Sequence, residues 1–212
     1  MAATRLILVR HGETASNFQG RYQGQLDSPL TPAGLGQARA LAERLARTRF
    51  TALYSSDLGR AEQTARVIAD KTAFHIRPDA RLRERHLGIF QGLLAAEIEQ
   101  NFPDEYRCFK SGAPDHVVPG GESTRQVLER AVICLEELAS RHVGETIVVV
   151  THGGVLSVLL RHTLGVPLEA RRRFTHGNAS WNVFRRETAG KWFLETWGEV
   201  SHLPQGEVDD DC

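Results

Sequence analysis

Cysteine is scarce: Cys108, Cys134 and Cys212 are the three in 212 residues, and no C-x-x-C pair is present. That excludes a disulfide framework and a cysteine-built zinc site, and an odd number of thiols suits a reducing compartment. Long apolar runs are lacking as well. Nothing approaches the about 18 residues of a membrane span, and the N-terminal run is too short for the apolar core of a signal peptide. The expectation is a cytoplasmic protein that does not engage membranes. Charge of one sign is also missing, with 26 Lys and Arg against 26 Asp and Glu. Nucleic acid is therefore not an expected partner, and any anion site must be local. What is present, 41% hydrophobic and 25% charged residues, suffices for one domain over residues 1–212 with a buried core; two domains would be cramped.

Short apolar runs alternate with helical patterns. Leu6–Val9 and Ile147–Val150 are wholly apolar and of strand length, the pattern of central strands buried on both faces. Thr31-Pro32 supplies an N-cap and a proline at the first helical position, followed by Leu35, Ala38, Leu41, Ala42 and Leu45 at helical spacing. "TALYSSD" (51–57) predicts a short strand, and the helix after it, with Ala61, Thr64, Ala65 and Ile68 on one face, is expected to be capped by Ser56 or Asp57. Further helices are predicted over about 123–142 and 155–164. Trp181–Arg185 and Trp192–Trp197 flank Ala189-Gly190 as a hairpin with its tryptophans, Trp181, Trp192 and Trp197, in the core. This alternation predicts an α/β sandwich with a mostly parallel central sheet. The irregular stretch 85–121 reads as an insertion or lid with one short helix, and the tail "EVDDDC" as a frayed end.

Ligands in such sheets gather beyond the carboxyl ends of the strands. Arg10-His11-Gly12 follows the first strand, Thr151-His152-Gly153-Gly154 follows "TIVVV", Arg60 falls in the first turn of a helix, and Glu84 lies in a short extended stretch. Two imidazoles, two guanidiniums and one carboxylate fit phosphoryl transfer. Guanidinium forks match phosphoryl oxygens and stabilise their charge. His11, kept neutral by neighbouring cations and fixed through its other ring nitrogen by a backbone carbonyl, suits the nucleophile, with Gly12 leaving room for close backbone approach. His152 suits a donor to phosphoryl oxygens. Glu84 suits the acid that protonates the leaving alkoxide and then the base that deprotonates water.

Plainer readings stand beside this one. Arg-His-Gly alone is weak evidence, and His11 with His152 is also a candidate zinc pair, opposed by Arg10 and by the absence of H-E-x-x-H. His86, His162, His176 and His202 read as surface or satisfied core residues. Arg171-Arg172-Arg173 reads as a solvated face, with an electropositive rim as the alternative.

"LVRHGET", "SSDLGRAEQTA", "LRERHLGIFQG", "PGGES" and "VVVTHGG", in this order, resemble the histidine phosphatase superfamily, the phosphoglycerate mutase-like fold, over about 6–203. The resemblance implies a three-layer α/β/α sandwich and a metal-independent phosphohistidine mechanism that needs no cofactor. It places the nucleophile on His11, phosphate-binding arginines on Arg10 and Arg60, the second histidine on His152 and the acid/base on Glu84. Asn17, Gln23, Gly24 and Gly153 fall on the substrate side. The implied partner is a small phosphomonoester, on a monomer or homodimer.

The branch follows from departures. Mutases resembling this chain carry a tyrosine and a lysine where Leu87 and Ala95 stand, and arginines in the insertion where "SGAPDHVVPGGES" (111–123) has none. With no evident place for a second anion, a phosphatase is expected ahead of a phosphoglycerate mutase. A non-catalytic phospho-ligand binding protein is the third reading, and loss of His11, Glu84 or an arginine would mark it; none is lost. Phe18, Arg21, Phe90 and the loop near His116 are the expected leaving-group contacts.

Overall fold

The computed structural model describes residues 2–204; the acidic tail from Glu207, with Cys212, lies outside them. Of the remaining thiols, Cys108 is exposed and Cys134 buried, and both are free. Strand β1 (Ala3–Arg10) sits inside a six-stranded sheet. Its partners are β2 (Ala52–Ser55), β3 (Ile76–Pro78), β4 (Thr146–Thr151), β5 (Trp181–Glu187) and β6 (Trp192–Glu199), in the order β3-β2-β4-β1-β5-β6. Pairs β3-β2, β2-β4 and β4-β1 are parallel, whereas the β5–β6 hairpin joins antiparallel to β1.

The period-2 alternation of β1 explains the layers. Leu6 and Leu8 face a core built with Leu135 and Leu138 of α6 (Thr124–Arg141) and with Leu156 and Leu159 of α7 (Gly153–Leu164). Ile7 and Val9 face the opposite core, with Leu41 and Leu45 of α2 (Pro32–Leu45) and Ala65 and Ile68 of α3 (Gly59–Thr72). All four β1 residues are fully buried, each worth about 2 kcal/mol of apolar transfer. Covering both faces is why these strands read as unbroken apolar runs, and it yields the expected α/β/α sandwich. Trp181 lies in one core, and Trp192 and Trp197 pack partly buried against the other. No helix among the described residues is long and apolar enough to cross a membrane.

Helix α2 begins as expected, Thr31 Oγ1 accepting from Gly34 N at 2.9 Å with Pro32 behind it. Helix α3 does not. Its N-cap is Leu58, and the capping oxygens come from Asp27, which accepts from Gly59 N at 2.7 Å and Arg60 N at 3.3 Å. The expected caps are engaged elsewhere: Asp57 with Arg83, Ser56 with His152. Short α1 (Ala15–Phe18) and β3 carry no signal strong enough to be read in advance. Segment 85–121 holds two short helices rather than one, α4 (Ala95–Asn101) and α5 (Pro103–Lys110), closed on a cluster of Phe90, Ile98 and Val118.

Candidate active site

The carboxyl ends of β1 and β4 deliver His11 and His152 with ring centroids 5.1 Å apart. His11 is nearly inaccessible, and its Nδ1–H donates to the Gly12 carbonyl at 2.8 Å. Nε2 therefore carries the lone pair, and it accepts from Arg60 Nε at 3.2 Å. Burial, then Arg60, then Arg10 hold the ring's pKa well below its ordinary value, so it is neutral. The backbone around it is pinned: Gly12 N donates to Thr64 Oγ1 at 3.1 Å, and the His11 carbonyl accepts from Ala179 N and Asn178 Nδ2. Only glycine fits at position 12, because a Cβ there would stand 2.5 Å from the Gly34 carbonyl oxygen.

Arg60 is almost fully buried and spends its donors on its surroundings, Nη1 to the Leu26 carbonyl at 3.0 Å and Nη2 to the Gly24 carbonyl at 2.6 Å. Burial, opposed by Glu84 and Asp27, brings its pKa to about 10, so it stays charged at neutral pH. Arg10 Nη1 donates to the His176 carbonyl at 2.8 Å. The carboxylate of Glu84 accepts from Gly154 N, in the first turn of α7, at 2.9 Å and from Arg85 N at 2.7 Å. Its backbone is clamped from below by Arg130, whose guanidinium donates to the carbonyls of Arg81, Arg83 and Glu84 while pairing with Glu122.

Of the expected site residues, Arg10, His11, Asn17, Gln23, Gly24, Arg60, Glu84 and Gly153 line one cavity of about 220 Å³. His152 is not among the lining residues: it is fully buried beside His11, its Nε2 sharing a 2.8 Å hydrogen bond with Ser56 Oγ and burial holding its pKa well down. Its Nδ1 is buried without a hydrogen-bond partner among the described residues, as is Nε2 of Gln23. No group of three or more His, Cys, Asp or Glu among the described residues could hold a metal ion.

Several expectations change here. Of the leaving-group candidates only Arg21 lines the cavity. Phe18 is 75% exposed, Phe90 is consumed by the core of the insertion, and the His116 loop stands behind Arg85, accepting from its Nη2. His176, read as a surface or satisfied core residue, is buried in the cavity wall. The second anion does have cations to meet, since Arg21, Arg85 and Arg172 line the cavity from outside the segment where arginines were sought. Arg171, Arg172 and Arg173 are exposed as a solvated face should be, yet Arg172 also forms part of this rim. In the sequence Thr64 and Ser56 read only as helix face and cap, and Asn178 and Arg130 not at all, because each acts on the site through a contact 46 or more residues away in sequence that no local pattern marks.

Comparison with known proteins agrees with this geometry. The chain is 45% identical over 205 residues to a metal-independent phosphoserine phosphatase of Arabidopsis thaliana, covering 94% of this chain and 83% of that protein. It is 42% identical over 203 residues to phosphoglycerate mutase-like protein 4 of the same plant, covering 94% and 87%. The solved structure of a mycobacterial glucosyl-3-phosphoglycerate phosphatase superposes with a TM-score of 0.82 at 34% identity, covering 92% of this chain and 99% of that one. Residues 6–200 match the family description of the histidine phosphatase superfamily, branch 1, and the chain belongs to that family of enzymes.

Proposed function

We propose that the chain, acting as a single domain with segment 85–121 as its cover, hydrolyses a small phosphomonoester through a phosphohistidine on His11. The observation that carries this reading is the state of His11: Nδ1–H is held by the Gly12 carbonyl, leaving a neutral ring with its lone pair on Nε2 at the cavity wall. Nε2 attacks phosphorus, the ester P–O bond breaks, and the leaving alkoxide takes a proton from the Glu84 carboxyl. Glu84, now a carboxylate, takes a proton from water as the water oxygen attacks phosphorus, and the P–N bond breaks to release inorganic phosphate. Arg60 Nε, which here donates to Nε2, turns to an equatorial phosphoryl oxygen as the bond forms, beside Arg10. Buried Nδ1 of His152 and Nε2 of Gln23 suit further contacts to those oxygens. The plant and mycobacterial relatives named as phosphatases support hydrolysis over retention of the product.

A rapid quench with phosphoryl-labelled substrate tests this: acid-labile, alkali-stable label on His11, absent from His11→Ala, is expected. Turnover with no label on His11 overturns it. A mutase reading keeps some support from the basic cavity wall and from the mutase-like plant relative. It requires that 3-phosphoglycerate give 2-phosphoglycerate rather than inorganic phosphate alone.

A further inference from the structure

A second and larger chamber, of about 680 Å³, lies beside the reaction cavity and shares part of its wall, Tyr22, Phe109, Ser157 and Arg172 among the common residues. Small-molecule sites usually measure about 300–1,000 Å³, so the reaction cavity at about 220 Å³ is small for a whole substrate. It suffices for a phosphoryl group and a short stub. Anything larger on the ester oxygen has to continue past the shared wall.

The chamber's own surface describes what it would take. Val127, Val158 and Leu168 give it an apolar side, and Tyr22 and Phe109, edge to face at 5.8 Å, stand where the two spaces meet. Its charged residues are basic apart from Glu169. In a chain of zero net charge that concentration is a local field for anions. The basic residues divide by duty. Arg161, 8% exposed, donates to the carbonyls of Pro167 and Ala170 and so shapes the wall. Arg85 donates to the Glu122 and His116 carbonyls and to Thr124 Oγ1. Lys110 and Arg171 are exposed and line the chamber but not the reaction cavity.

We infer that this chamber is the leaving-group subsite and that the substrate is an extended phosphomonoester whose leaving group ends in a second anion, met by Lys110 and Arg171. This rests on the hydrolase reading above and sets the substrate class apart from a compact one such as phosphoserine. Carboxylate and phosphate share the required chemistry, and both can be offered.

The test uses matched probes on the full chain: glucose 6-phosphate, which has no distal anion, 6-phosphogluconate with a distal carboxylate, and glucose 1,6-bisphosphate with a distal phosphate. At least one of the latter two should exceed glucose 6-phosphate in kcat/KM by about 10-fold, the order expected of one charge-assisted contact. The double variant Lys110→Gln/Arg171→Gln should collapse that preference ratio. Filling the chamber with Leu168→Trp should do the same. Equal kcat/KM for all three probes, or a ratio that survives both variants, overturns the subsite. Turnover of p-nitrophenyl phosphate reports on the hydrolase reading separately. If it fails, calorimetric binding of the three probes decides the subsite by the same ranking.

Discussion

Gly154→Ala separates the position of Glu84, the proposed acid, from its presence. A methyl at 154 would stand 3.0 Å from Cδ of Glu84 and nearer still to Oε1, so the carboxylate must leave the Gly154 N–H that it now accepts at 2.9 Å. The stability terms nearly cancel. A hydrogen bond to a charged group contributes about 1.5–3 kcal/mol, but a partly exposed carboxylate recovers part of that from water, and alanine gains up to about 1 kcal/mol over glycine within a helix. The catalytic terms do not cancel, because misplacing a reacting group by about 1 Å costs on the order of 10²-fold and a well-placed proton donor supplies about 10²–10⁴-fold. Turnover of an alkyl phosphate such as glycerol phosphate should fall about 10²-fold with the melting temperature nearly unchanged. Phosphorylation of the enzyme by p-nitrophenyl phosphate, whose leaving group needs no proton, should be largely spared. Equal losses on both substrates, or none on either, would refute the assignment of Glu84 as acid and base and return attention to Glu13, Asp57 or Glu122.

Arg130→Gln should cost about 3 kcal/mol in urea denaturation, because it leaves Glu122 and the carbonyls of Arg81, Arg83 and Glu84 without their partner; a shift under 1 kcal/mol would mean the clamp is incidental. Stability should fall as pH drops from about 6.5, because burial holds the pKa values of His11, His152 and His202 down in the fold, that of His202 to about 4, and the unfolded chain then binds more protons. A urea midpoint that is flat between pH 7 and pH 5 would contradict this. Activity should survive EDTA and be inhibited by vanadate, since under the proposed mechanism the guanidiniums of Arg10 and Arg60 supply the charge that holds a phosphoryl group; full loss in chelator, restored by zinc or magnesium, would overturn that expectation.

The two strands that carry the histidines were legible because burial on both faces leaves an unbroken apolar run, and α2 was legible because Thr31-Pro32 is a local start signal. The cap of α3 was not, since Asp27 reaches it from 32 residues away and sequence neighbours were the only caps a local rule can offer. The same distinction governs the site. Arg10, His11 and Arg60 stand at element ends that a pattern can locate, and the structure brings them together. His152 stands there too, fully buried beside His11 and bonded to Ser56 just past the end of β2. The rim cations Arg21 and Arg172 lie in loops whose convergence depends on packing and on no periodicity.

Arg60 shows why His11 and the 23–27 loop cannot be treated as separate parts. Burying a guanidinium is costly unless its donors are met, and here they are met by the carbonyls of Gly24 and Leu26 together with Nε2 of His11. The cation proposed to clamp phosphate thus also holds the 23–27 loop, while Asp27 at the end of that loop caps the helix on which Arg60 sits. Each half satisfies the other's polar groups. Under the proposed mechanism a phosphoryl group arriving at Nε2 would replace only the His11 contact and leave both carbonyls bonded, so the guanidinium would meet it already oriented, with little backbone left to order.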